Sequence, residues 1–399
     1  MAAGTGALKQ ALEAFNRNDW AAAEQHARDA VAETPDSADG WNLLGVVLRA
    51  AGRPAESLPH YRRALEIDRR HAGAWTNLGN ACRDLGRTET AISCHRQAIA
   101  AQPDGAALYH NLGIAFMSAC RWPEAVTAFS QSLTLNPDST EVRWDRALAL
   151  LCAGRWAEAW VDYDVRIGGP GLPSRPLPGR LWRGQADRQA SVLVVSEQGL
   201  GDAIWCWRYL PLLRARVGRV MLECRPELAA LARAQDLADE VITFGDRLPG
   251  ADFHVYQCSL PGIFTPNERS IPPAPYLAAP SRPVDLPQAG DGSLRVGIVW
   301  SGSPTFRANR ERAAALSRFV ESFGLAGVTL FSLQFGPQRK ALEANRPVPV
   351  IDLTPHLNDF ADTAAALATL DLVIMTDSAL AHLCGALGRP VWVLLPFSA

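Results

Sequence analysis

Three strand-to-helix loops in the C-terminal half carry the residue types that do chemistry. The first, SEQGLGDAIWCWRYLPLL (196–213), leaves a strand-like run through Gly199-Leu200-Gly201-Asp202 and opens an amphipathic helix. Its two glycines let backbone approach a ligand closely, while Asp202 reads first as a cap on its own helix. G-x-G-D lacks the third glycine of a dinucleotide fingerprint, which argues against NAD. The second loop, VWSGSPTFRANRER (299–312), sets Ser301, Gly302 and Ser303 ahead of Arg307, Arg310 and Arg312. Small residues followed by guanidinium forks suit a diphosphate, with a solvated basic loop as the alternative. The third, MTDSALAHLCGALGRPVWVLLP (375–396), places Asp377 and Ser378 directly after a strand and His382 one helical turn further on. A helix starting at Ser378 points free N–H groups and its positive dipole end at whatever lies above the sheet. Asp, Ser and His thus converge on one sheet edge.

The elements that must hold these loops alternate strand and helix. Apolar β-rich runs at 191–196, 219–224, 239–244 and 252–256 have helical stretches between the first three, near 203–216 and 226–235. After a Pro-rich connector, similar runs recur at 294–300, 328–333, 370–376 and 390–395. Such alternation predicts two parallel, doubly wound sheets, hence two Rossmann-like halves facing across a cleft, with ligands outside the carboxyl ends of the strands. We place the first half at 190–275, the linker at 276–291 and the second half at 292–399. Residues 171–189, dense in Pro and Gly, form a hinge that is neither helix nor central strand.

Residues 1–170 repeat themselves. Gly45, Gly79 and Gly113 stand 34 residues apart, and the same step relates Trp41, Trp75 and Tyr109. It also relates Gly52, Gly86, Cys120 and Gly154, the glycines sitting where a helix must stop in a left-handed turn. An aromatic, then Leu-Gly, then small residues, then a terminal Pro at this period resembles the tetratricopeptide repeat, in about five units. Each unit is a helix pair that cannot bury its apolar stripe alone. The last unit departs from the pattern, with Arg146-Ala147 in place of Leu-Gly. Asn77 and Asn111 share the position just before Leu-Gly, on the concave face. The array resembles that of eukaryotic-type O-GlcNAc transferases, which implies that these asparagines grip the backbone of a protein partner or acceptor. Simple solvation is the alternative, and Leu43 holds the slot one unit earlier.

Composition excludes several classes. The chain has 399 residues, 48% hydrophobic, with net charge −2. That composition is not that of a disordered chain, and the charge offers no field to drive nucleic-acid binding. Of 39 basic residues only Lys9 and Lys340 are lysines, so phosphate would be held by arginine or backbone amides. No P-loop sequence occurs. Eight scattered cysteines with no C-x-x-C pair suggest a reduced compartment and no zinc. The N-terminal residues lack the charge and apolar pattern of a secretory signal, and no apolar run is long enough to span a bilayer, so a cytoplasmic location is expected. Asp162 and Asp164 have D-x-D spacing, but on a helix they point about 200° apart and cannot chelate one ion.

GLGDAIWCWRYLPLL, SLQFG (332–336) and TDSALAHLCGALGRPVWVLLP together resemble bacterial proteins that join tetratricopeptide repeats to a glycosyltransferase domain of the family 9, heptosyltransferase kind. The resemblance covers residues 4–399. It implies an all-α repeat superhelix followed by a GT-B-like α/β pair. It also implies sugar transfer from a nucleotide-diphosphate donor to a protein or glycan acceptor, with neither metal nor other cofactor. By that likeness Asp202 is the general base, while Asp377, Ser378 and His382 bind donor sugar and phosphates. Ser301, Gly302 and Gln334 line the donor pocket; Arg307 and Arg310 are assigned to its phosphates by the chemistry of the second loop rather than by the likeness. Two features depart from the family: arginines stand where it tends to have a lysine, and RAAALSRF (312–319) replaces an R-S-I-P-L-like segment. With some 210 residues for both halves, the second reads as shortened. The rival expectation is a repeat scaffold whose transferase-like domain is non-catalytic.

Overall fold

The structure is a computed structural model. It describes residues 3–169, 172, 175–282, 284, 287, 292–302, 309–344 and 348–395, and excludes the side chains of 3–5, 310 and 311. The chain separates into two compact units, 1–169 and 170–397.

The first unit is ten helices in five antiparallel pairs. They are α1 (Ala3–Asn16), α2 (Trp20–Glu33), α3 (Ala38–Ala50), α4 (Pro54–Ile67), α5 (Ala72–Asp84), α6 (Thr88–Ala101), α7 (Ala106–Ser118), α8 (Trp122–Leu135), α9 (Thr140–Cys152) and α10 (Trp156–Tyr163). The 34-residue step has a physical cause at each recurrence. Within a pair, the glycine of the first helix receives an aromatic ring from the second: Tyr61 over Gly45, His95 over Gly79 and Phe129 over Gly113. Between the two helices of each pair, Asn18, Gly52, Gly86, Cys120 and Gly154 all take positive φ, from +56° to +80°. Between pairs, Trp41 and Trp75 donate their indole N–H to the carbonyls of Pro35 and Arg69 at 2.8 and 2.9 Å. Arg143, two steps after Trp75, makes the same reach to Pro137.

A methyl group at position 45 would lie 2.5 Å from Tyr61 Cε1, whereas at Gly52 it would meet nothing within 4 Å. Gly45→Ala is therefore expected to cost about 1–3 kcal/mol by overpacking. Gly52→Ala should cost only the left-handed strain of about 1–2 kcal/mol. Urea unfolding followed by circular dichroism measures both.

The second unit holds two five-stranded, wholly parallel sheets. The first contains β1 (Arg180–Leu181), β2 (Asp187–Val195), β3 (Val217–Cys224), β4 (Glu240–Thr243) and β5 (Phe253–Tyr256), in the order β1-β5-β2-β3-β4. Helices α11 (Leu200–Cys206), α12 (Leu210–Arg214), α13 (Pro226–Arg233) and α14 (Leu260–Phe264) connect or follow its strands. The second contains β6 (Leu294–Val299), β7 (Val328–Ser332), β8 (Val350–Asp352), β9 (Leu372–Thr376) and β10 (Val391–Leu394), in the order β10-β9-β6-β7-β8. Its helices are α15 (Asn309–Arg312), α16 (Leu316–Phe323), α17 (Phe360–Leu367) and α18 (Ala379–Ala386). The winding direction reverses between β2 and β5, and again between β6 and β9. These are the points where loops at the strand ends diverge and leave a crevice.

One apolar core runs through both sheets' layers, including Trp207 and Leu210 from the first and Leu367 and Leu383 from the second. Helix α11 packs on α18, and α13 on α17. The halves therefore meet helix on helix along this seam, rather than only facing each other across a cleft. At the far edge of the second sheet, Trp392 and Leu395 are 58% and 66% exposed. No helix among the described residues is long and apolar enough to cross a membrane.

Candidate functional site

The first loop leaves the carboxyl end of β2, at the switch point between β2 and β5. Backbone turns at Gln198, which takes φ +59°, and Gly199 then occupies the N-cap of α11. Asp202 stands at the third position of that helix and not at its cap. It accepts a hydrogen bond from the Gly199 N–H at 2.9 Å while remaining exposed. Beneath it, buried Glu197 anchors the loop to the neighbouring strand end. Its Oε1 accepts from the Cys258 N–H at 3.1 Å, and its carbonyl accepts from Gln257 Nε2. Glu223, at the end of β3, accepts from the Ser196 N–H and from Arg175. None of Glu197, Gln257 or Glu223 stands out by spacing, because their partners are distant in sequence.

At β6/β9 the second and third loops meet. The Gln334 amide is spent on the loop itself: Oε1 accepts from the Trp300 and Ser301 N–H groups at 3.0 and 2.9 Å. Its Nε2 donates to the carbonyls of Ser301 and Phe335. Asn309 adds a brace, donating to Ser301 Oγ and accepting from the Gly302 N–H, each at 3.0 Å. Gln334 thus shapes the loop that carries Ser301 and Gly302. A side chain at Gly302 would meet the Arg312 guanidinium at 3.0 Å, and Arg312 pairs with Asp377 at 2.8 Å. Arg312 therefore ties the second loop to the third. Arg307 and the side chain of Arg310 lie outside the described residues.

Ser378 is the N-cap residue of α18, yet its hydroxyl makes no capping bond. One turn on, His382 packs against Gly201, where an added Cβ would fall 2.6 Å from His382 Cδ2 and 3.3 Å from the Cα of Ala379. Only glycine at position 201 permits so close an approach of α11 to α18. Burial lowers the pKa of the imidazole below its ordinary value. The Asp202 and Asp377 charges oppose that effect and Arg208 adds to it. Burial thus outweighs the two carboxylate charges and favours the neutral ring. The structure brings Gly199, Gly201, Asp202, Asp377, Ser378 and His382 onto one seam, with Ser301 and Gly302 linked to it through Arg312.

In the repeat unit, the two asparagines have local partners. Asn77 donates to Asn42 Oδ1 at 2.9 Å, a rung between adjacent repeats, and Asn111 donates to the Ala107 carbonyl in its own helix. His110 and Asp145 form a comparable rung at 2.7 Å. Asp162 lies in α10 and pairs with Arg146, whereas Asp164 is not on that helix but at its C-cap, where a 3₁₀ turn begins, and pairs with Arg166. Among the described residues no group of three or more His, Cys, Asp or Glu side chains is placed to hold a metal ion.

The tetratricopeptide repeat family model matches residues 36–104 and 70–138, so the N-terminal unit carries tetratricopeptide repeats. Protein FlbA of Caulobacter vibrioides is 28% identical over 275 residues, 59% of this chain and 44% of FlbA. The chain thus spans less than half the length of that curated relative. Among solved structures, PilF of Pseudomonas aeruginosa is 26% identical over 43% of this chain and 78% of its own, with a TM-score of 0.40. A thermophilic tetratricopeptide-repeat protein of Thermus thermophilus is 22% identical over 42% of this chain and 92% of its own, with a TM-score of 0.37.

Proposed function

We propose that the C-terminal unit is a metal-independent glycosyltransferase of GT-B type, and that the repeats recruit its protein partner or acceptor. The observation that carries this reading is the seam itself. Two doubly wound parallel sheets present, side by side, an exposed carboxylate (Asp202), a neutral imidazole (His382) and a helix N-terminus without a side-chain cap (Ser378). In this reading Asp202 takes the acceptor proton, its exposed carboxylate in the first turn of α11 being open to an approaching hydroxyl. The N–H groups of α18 and the Arg312 guanidinium stabilise the departing diphosphate. Ser301 and Gly302 shape the donor side, their N–H groups held by Gln334 and Asn309, so the donor meets a preorganised surface there.

One observation favours the rival, a repeat scaffold with a non-catalytic domain: both carboxylates already have partners, Asp202 in the Gly199 N–H and Asp377 in Arg312. A panel of radiolabelled nucleotide sugars separates the two. We expect donor hydrolysis or transfer, lost by about 100-fold or more in Asp202→Ala, the scale on which a general base contributes. Neither transfer nor hydrolysis of any donor, or activity unchanged in Asp202→Ala, sinks the enzyme reading.

A further inference from the structure

Arg208 lies in the 3₁₀ turn that continues α11, six residues beyond Asp202. Its guanidinium stacks over the Tyr276 ring at 4.7 Å and reaches the phenol hydroxyl. Tyr276 is itself fixed to the far end of α18, because the N–H groups of Tyr276 and Leu277 both donate to the Ala386 carbonyl at 3.0 Å. The cation is thereby held on the same α11–α18 seam as His382, and its charge is felt at that imidazole.

What it lacks is a counter-ion. Arg175, Arg214, Arg219, Arg282, Arg312 and Arg339 of this unit each pair with a carboxylate, whereas among the described residues Arg208, Arg295 and Arg389 do not; of these three, Arg208 is the one whose charge is felt at His382. Among the described residues Arg208 pairs with none, and its buried Nε has no hydrogen-bond partner. A desolvated donor without an acceptor is rare in a native fold and calls for an explanation. A second such group lies on the same seam: the Thr376 hydroxyl, 1% exposed, ends β9 just ahead of Asp377 and Ser378 and also has no partner.

We propose that Arg208 recognises an oxyanion of the donor, a phosphate or carboxylate oxygen that enters the α11–α18 seam. The inference rests on the glycosyltransferase reading, in that it names the donor as the carrier. Stacking fixes the guanidinium plane and leaves an edge to form charge-assisted hydrogen bonds, which a flexible ammonium cannot reproduce with the same geometry. The oxyanion supplies the acceptor that Nε lacks.

Calorimetric titration of the full chain with UDP and GDP, and with UDP-glucuronate against UDP-glucose, tests this. Arg208→Gln is expected to weaken the bound probe by about tenfold or more, and Arg208→Lys by less. Tyr276→Leu, which keeps the charge but frees the guanidinium, should fall between wild type and Arg208→Gln. Loss of diphosphate binding identifies phosphate as the partner. Loss of only the advantage of UDP-glucuronate over UDP-glucose identifies a sugar carboxylate. Probes bound by wild type and by Arg208→Gln within about twofold overturn this inference alone. No binding of any probe by the wild-type chain overturns both this inference and the glycosyltransferase reading. Thermal unfolding of each variant shows whether a loss reflects folding, and Arg208→Lys, which retains the charge, separates recognition from collapse.

Discussion

His95→Phe is expected to stabilise the repeat unit, and to do so more at pH 5 than at pH 7. His95 occupies the position that Tyr61 and Phe129 hold one unit before and after, with its ring over Gly79. It is 1% exposed, and neither ring nitrogen has a hydrogen-bond partner. Burial pushes its pKa down to about 4, with the Arg83 charge adding to the effect. The folded state therefore keeps the ring neutral, while the unfolded chain protonates it near 6.5. Between these values the unfolded state binds more protons, so stability present above about pH 6.5 is lost as pH falls toward 4. Each pH step of one between the two values is worth about 1.4 kcal/mol, so the full loss amounts to roughly 3 kcal/mol. Phenylalanine has the shape the slot accepts in the next unit and no proton to bind. It should also relieve the unmet nitrogens, worth about 1–3 kcal/mol at any pH. Urea unfolding followed by helical dichroism at pH 5, 6 and 7 measures both parts. Equal stabilisation at the three values would show that the imidazole is not held neutral.

That slot shows what the repeat pattern disclosed and what it hid. Glycine at 45, 79 and 113 is conspicuous because no other residue lets the second helix press so close. Tyr61, His95 and Phe129 follow the same step but differ in type, so the position is recognised only when the rings are seen on the glycines. The left-handed turn behaves alike. Gly52, Gly86 and Gly154 announce it, and Cys120 falls in register, but Asn18 belongs to the series as well, at φ +60°. Asparagine tolerates that conformation without advertising it.

The sheets were legible wherever a strand runs to four residues or more. The eight runs of apolar, β-rich sequence correspond to β2 through β7, β9 and β10, that is, to every strand except the two shortest. β1 has two residues and lies in the Pro/Gly-rich stretch, where its pairing with β5 comes from tertiary contact. β8 has three, too few to show a period. The seam divides in the same way. Asp377, Ser378 and His382 are close in sequence and belong to one helix and its cap, so their convergence can be read directly. Arg208 and Tyr276 are far apart in the chain, in a pairing that only the docking of the linker onto α18 creates.

Glu223→Ala is expected to destabilise the second unit by about 3–5 kcal/mol, among the largest single effects in the chain. The carboxylate is 0% exposed. It accepts from Arg175 at 2.7 Å through Oε1, again from Arg175 through Oε2, and from the Ser196 N–H at 3.1 Å. Arg175 is held in place by stacking over Phe244 at 5.0 Å. Truncating Glu223 strands a buried backbone N–H and leaves the Arg175 guanidinium, which is 23% exposed, without its carboxylate, so the cost is that of the unpaired groups rather than the worth of the bond. The double variant Glu223→Leu with Arg175→Met should therefore recover most of the stability, since an apolar pair of similar volume often replaces a buried ion pair without loss. It cannot restore an acceptor for Ser196, where the loop to Gly199 and Asp202 begins. Chemical denaturation should show the double variant near wild type, short of it by the cost of the one buried N–H left without an acceptor. If the double variant is as unstable as Glu223→Ala, the Ser196 bond and not the stranded arginine dominates the cost. If stability recovers in full, the Ser196 N–H costs little once the arginine is gone, and the pairing with Arg175 is the whole role of the buried carboxylate.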